Sequence, residues 1–151
     1  MATIRGKYKG SLDGSAPIYR PFPVNDNQTI NAGDVVILSS AKASIGTDAA
    51  GAGTVLGVSN TDIVTTTATA ADTIMVDINP MSIYEVPYTG TASSLAIGAK
   101  YDMGAAAYQI DIADTTGGYF QLLPQADDGA AYNAEKLTVD VILCNRVYGQ
   151  A

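Results

Sequence analysis

The side chains best placed to run acid–base chemistry in this sequence are carboxylates, because it has no histidine and one cysteine, Cys144. Glu85 and Glu135 are its only glutamates, and Asp111 with Asp114 is the closest-spaced pair with apolar flanks. Two carboxyl groups suffice for glycoside hydrolysis, one giving a proton and the other acting as base or nucleophile. Such sites are lined with aromatic rings, whereas this chain has no Trp and only two Phe, at 22 and 120. Turn aspartates that cap backbone amides account for the same residues without any reaction. Missing histidine excludes His-dependent triads, HExxH zinc sites and Cys–His dyads. One cysteine excludes a CxxC centre and any intrachain disulfide. Neither GxGxxG nor GxxxxGK[ST] occurs. The run Asp111 to Gly118 and the triplet Asp127-Asp128-Gly129 offer oxygen ligands for calcium, but neither has EF-hand spacing, and Asx turns explain both. The expectation is a protein that is not an enzyme, with no catalytic residue, cofactor or metal.

The second chemistry on offer is charge. Arg5, Lys7, Lys9 and Arg20 precede Phe22 against a single acid, Asp13, so this segment carries net +3. From residue 25 onward four cations face fourteen acids, net −10, and the whole chain carries −7. A basic arm on an acidic body admits three readings. It could contact nucleic acid, with Tyr8 stacking on a base. It could be a solvated tail. Or its cations could meet carboxylates on a protein surface while Tyr8, Tyr19 and Phe22 seat rings in pockets. Four cations make a small footprint for phosphate, and the net charge disfavours nucleic acid and anionic membranes. Arginine and aromatic rings are the residue types that carry interface energy, and a pre-extended segment costs less to order. The candidate binding residues are therefore Arg5, Lys7, Tyr8, Lys9, Tyr19, Arg20 and Phe22.

These residues must be positioned by the chain around them. Residues 1–27 read as an extended arm: Gly6, Gly10 and Gly14 recur, then Pro17, Pro21 and Pro23 follow, and each proline holds its predecessor out of the helical region. Arms of this kind order only when they lie on something, so removing residues 1–22 is expected to leave a folded body that no longer attaches. Residues 28–151 read as that body, and 151 residues suffice for one domain with a real core. Charged residues make up 15% of the chain against the usual quarter. That low share suits a β-protein with much of its surface against neighbours.

Strand patterns dominate. Val35-Val36-Ile37-Leu38 is apolar throughout, as in a strand buried on both faces. Val55-Leu56-Gly57-Val58 follows a glycine loop at 51–53. Ile74, Val76 and Ile78 alternate until Asn79-Pro80 ends the run, and Ile83, Tyr84 and Val86 are closed by Pro87. Tyr108, Ile110 and Ile112 alternate, Tyr119 to Leu123 follows Gly117-Gly118, and Leu137, Val139, Val141 and Leu143 give the clearest period of two. Ile142 interrupts the polar face of that last run, which predicts cover on both sides. Cys144 reads as a small buried hydrophobe. Helix evidence is thin, with a single turn conceivable over 130–136. The fold class expected is all-β, a compact sandwich or barrel with an extended N-terminal arm. With no signal-like or membrane-length apolar run, synthesis in a cytoplasm is expected.

Several segments resemble a known family. Ile30-Asn31-Ala32-Gly33-Asp34-Val35-Val36, Gly53-Thr54-Val55-Leu56-Gly57-Val58, Ile97-Gly98-Ala99-Lys100-Tyr101, the stretch Tyr108 to Leu123 and the closing Val139-Asp140-Val141 are similar to tailed-bacteriophage capsid decoration (cement) proteins. The resemblance implies a small β-domain, commonly a homotrimer, on the outer capsid surface of the virion. It would clamp neighbouring subunits of the major capsid protein, with the N-terminal segment making capsid contacts. Head-fibre or tail components, and a carbohydrate- or ligand-binding β-module, remain alternatives. The last of these would need a concave aromatic patch.

Overall fold

The computed structural model describes residues 5–47, 54–90, 95–104, 106–115, 118–124, 132 and 137–149. The fold is all-β and sandwich-like, with thirteen strands among the described residues. The readings over 130–136 and at Asp127-Asp128-Gly129 lie outside the described residues, apart from Tyr132.

One sheet contains β1 (Lys7–Ser11), β9 (Ser82–Thr89), β10 (Lys100–Met103), β11 (Ile110–Asp111), β12 (Phe120–Leu123) and β13 (Thr138–Leu143). Five of these close a ring: β9 pairs with β11, β11 with β10, β10 with β12, β12 with β13, and β13 returns to β9. Closure removes free sheet edges. Strand β1 is added outside the ring, on the edge of β9 that also carries β11 further along.

A second sheet runs in the order β2 (Tyr19–Pro23), β8 (Thr73–Asp77), β6 (Val55–Ser59), β4 (Val35–Ser39), β5 (Lys42–Ile45). The apolar run of β4 explains its place. Val35 and Ile37 face the core shared with the ring, while Val36 and Leu38 face a second core on the other side. Strand β6 repeats this, with Val55 and Val58 on the ring side and Leu56 on the other. A strand buried on both faces reads as continuously apolar. The ribbon of β3 (Thr29–Ile30) and β7 (Ile63–Val64) adds Ile30 and Ile63 to the second core.

Gly57 is where the second sheet needs glycine, since any Cβ there would collide with the backbone carbonyl of Asp77 on β8. Strand β13 is covered on both faces as expected. Val139, Val141 and Leu143 fill the ring core, and Thr138 and Asp140 are buried on the opposite side.

Three expectations need correcting. Pro87 does not end its strand: β9 continues to Thr89, with Pro87 opposite Thr138. Proline is tolerated there because the other edge of β9 changes partner from β1 to β11 and makes no ladder pairing at residues 86 and 87. Leu137 leaves its alternating run, being exposed with φ of 55° at the turn into β13. The N-terminal arm, although extended, lies on its own chain. Strand β1 is added to the first sheet and β2 forms an edge of the second, so removing residues 1–22 would strip strands from both.

Candidate partner-binding site

The N-terminal segment is pinned at its start. Gly6 donates its amide to the carbonyl of Gly33 at 3.1 Å, and a Cβ on either glycine would run into the other's backbone oxygen. The Arg5 guanidinium donates from Nε to Asp34 Oδ1 at 3.3 Å and lies 4.8 Å from the centre of the Tyr108 ring. Asp34 is buried, which raises its pKa, while its bonds from the Asn31 amide and Arg5 act in the opposite direction. Arg5 therefore ties β1 to the loop before β4 and to the ring.

Lys7 and Lys9 stand exposed on β1, where the register shifts between Tyr8 and Gly10 and leaves Lys9 as the bulged residue. Tyr8 is half-buried, its ring edge-on to Tyr84 with centres 5.8 Å apart. On β2, Arg20 is exposed, Phe22 packs against the second core beside Tyr148, and Tyr19 lies opposite Asp77. Among the described residues, Arg5–Asp34 is the only ion pair. The seven candidate residues thus divide by role. Arg5, Tyr8 and Phe22 hold the segment to the body, while Lys7, Lys9 and Arg20 present charge outward and Tyr19 is partly exposed.

The loop between β1 and β2 is fastened from beneath. Asp77 accepts hydrogen bonds from the amides of Ile18 and Asn79, each at 3.0 Å, and from the Tyr84 hydroxyl at 2.6 Å. Asn79 donates from Nδ2 to Ser15 Oγ at 2.8 Å and to the Ala16 carbonyl at 3.0 Å. Asp77 and Asn79 are both buried. Behind them Arg146, 5% exposed, donates to the Leu56 carbonyl at 3.0 Å, and the negative charge of Asp77 favours its protonated guanidinium. Burial pulls the Arg146 pKa down, and it pushes the Tyr84 hydroxyl well above its ordinary value.

Sequence reasoning passed over Asp77, Asn79 and Arg146, because their roles depend on three strands meeting and no local spacing announces that. It also missed Leu12, Ile18 and Met81, exposed apolar residues on the same corner.

Asp111 and Asp114 meet in a turn. Asp111 accepts the Ala113 amide at 3.0 Å, an Asx-type contact, and the Asp114 amide bonds the Asp111 carbonyl. Glu85 and Asp140 face each other across β9 and β13, and Glu85 accepts the Thr138 hydroxyl at 2.9 Å. Only the strand register reveals that pair. Among the described residues no three His, Cys, Asp or Glu side chains gather as a metal site, and no helix is long and apolar enough to cross a membrane. Cys144 is buried, which raises its thiol pKa. No protein-family model matches the chain, and no curated protein matches it.

Proposed function

We propose that this chain is a structural virion protein, a decoration or cement subunit that binds the outer surface of a tailed-phage capsid and clamps neighbouring major capsid subunits. The observation that carries this reading is the placement of Lys7, Lys9 and Arg20, exposed on two edge strands of an otherwise acidic body. Cations held on ordered strands suit attachment to a carboxylate-bearing lattice. The segments that resemble decoration proteins support it too, since they fall on β3–β4, β6, β10 to β12 and β13.

The mechanism is multivalent. A homotrimer spanning several capsid subunits turns later contacts into intramolecular ones and gains avidity. Binding only the expanded lattice would stabilise that lattice by mass action. No reaction is needed. The test is sedimentation of the purified protein with expanded heads of the phage that encodes it, produced without this protein. Binding by the unaltered protein, and its weakening in a Lys7→Ala, Lys9→Ala, Arg20→Ala variant more at low salt than at high, is the expected result. Absence of binding by the unaltered protein sinks the proposal. Light scattering gives the free mass, with a compact trimer expected.

A further inference from the structure

Among the described residues eight large apolar side chains are exposed, and five of them, Leu12, Ile18, Tyr19, Met81 and Tyr148, gather around the β8–β9 turn. Backbone bonds bring them there. Leu12 donates its amide to the Met81 carbonyl at 2.9 Å, Ile78 donates to the Ile18 carbonyl at 2.9 Å, and Tyr19 pairs with Asp77. The C-terminal tail joins them, with the Tyr148 ring 6.3 Å from Phe22 and Gly149 against Pro80. Exposed apolar residues scattered singly need no explanation, whereas a gathering of them marks an interaction site.

Two further observations say what covers this corner. The loop that carries Leu12 and Ile18 is held by the buried side chains of Asp77 and Asn79, so its shape exists before any partner arrives and little ordering is left to be done on binding. The strands leading into and out of it bear the exposed cations Lys7, Lys9 and Arg20. The one acid of the segment, Asp13, sits in the loop and accepts the amide and hydroxyl of Ser15. Two copies meeting corner to corner would oppose like charges, which disfavours a symmetric self-contact.

From this placement we infer that the capsid is engaged by the whole corner, Leu12, Ile18, Met81 and Tyr148 entering an apolar cleft whose rim is acidic and meets Lys7, Lys9 and Arg20. The inference rests on the capsid reading above and names the part of the protein that makes the contact. In this arrangement the buried apolar centre supplies affinity, and the cations set orientation and encounter rate.

The experiment uses the full chain and the same expanded heads. Leu12→Ser, Ile18→Ser and Met81→Ser are combined in one variant, and Val64→Ser with Ile97→Ser, exposed elsewhere, forms the control. The corner variant is expected to lose about 100-fold in affinity and the control less than about threefold. Equal binding by both variants overturns the corner while leaving the capsid reading intact; no binding by the unaltered protein overturns both. A corner variant that alters the sedimentation mass of the free protein assigns the corner to a second copy and also overturns the inference. Single exposed changes serve where the triple variant fails to fold: Leu12→Ser should weaken binding about equally at low and high salt, and Lys9→Glu should weaken it more at low salt. A Lys9→Glu loss that is the same at both salts rejects an acidic rim.

Discussion

The ring of β9 to β13 and the five-stranded sheet beside it share one core but treat their edges in opposite ways. The ring closes on itself, and only β1 is added outside it, on β9. The sheet ends at β2 on one side and β5 on the other, and each end is finished by the chain's first thirty residues. Strand β2 is itself one edge, and Val24 bridges to Ala43 on the other. The basic segment thus finishes both halves, as a strand added to the ring on β9 and as an edge strand of the sheet on β8.

Removing residues 1–22 breaks that comparison most severely. The loss takes β1 from β9 and nearly all of β2 from β8, uncovers the second core beneath Phe22, and deprives Asp77 of the Ile18 amide. An unpaired strand edge over exposed apolar surface is a template for aggregation. The truncated chain is expected to be insoluble or to lose its cooperative thermal transition. A soluble truncated chain with an unchanged melting temperature would show the segment to be an accessory after all.

Next in size is buried Arg146, which donates to the Leu56 carbonyl and feels the charge of Asp77. Arg146→Ala removes that charged donor from a buried site. The expected cost is about 2–3 kcal/mol, read by denaturant unfolding. Adding Asp77→Asn to that variant should recover part of the loss, since a neutral amide needs no counter-charge. No recovery would mean that Arg146 acts through its bond to Leu56 instead.

Tyr84→Phe is milder, about 1–2 kcal/mol, because it deletes one hydroxyl bond to a carboxylate that keeps two amide donors. It also carries a pH signature. The Tyr84 pKa is raised on folding by burial and by its bond to Asp77. Its contribution is thus present below the ordinary tyrosine value of 10.0 and is lost as pH climbs above it, where the unfolded phenol ionises first. Unfolding free energy measured from pH 9 to 11 should fall less steeply in Tyr84→Phe than in the parent. The remaining slope belongs in part to Tyr19 and Tyr88, which burial shifts in the same direction.

What could be read in advance follows from how local each cause is. The doubly buried β4 and β6 were legible because both of their faces are apolar, and the alternation of Val139, Val141 and Leu143 marked β13. Strand β5, with exposed Lys42 and buried Ala43, and the two-residue strands β3 and β7 give too short a pattern to read, whereas β11 falls within the alternation of Tyr108, Ile110 and Ile112. Strand β10 hides because Asp102 is buried among apolar neighbours. The segment 1–27 was legible as extended, which prolines dictate, but pairing partners fifty or more residues away leave no local trace. At the candidate site the cations and rings could be named, but their division into anchors and presenters could not. That division depends on Asp34, Asp77 and Tyr84, which only the folded chain brings beneath them.

The smallest expected change in stability tests how the open half avoids pairing with itself. Val24 donates its amide toward β8, to the Asp72 carbonyl at 3.1 Å. Along an antiparallel strand, alternate amides point to opposite sides. The amides of Arg20 and Phe22 therefore face β8, and the backbone nitrogens of Pro21 and Pro23 face the other edge, which is free up to the bridge from Val24 to Ala43 of β5. Having no N–H, they leave that edge with almost nothing to donate, a device that protects exposed strands. Replacing both with Val should change the melting temperature by only a few degrees, since no ladder bond to β8 is touched. It should restore two outward donors and make the protein associate with rising concentration, as sedimentation velocity would show. If the variant stays at the parent's mass up to high concentration, the prolines serve only to hold β2 extended, and some other feature keeps the edge single.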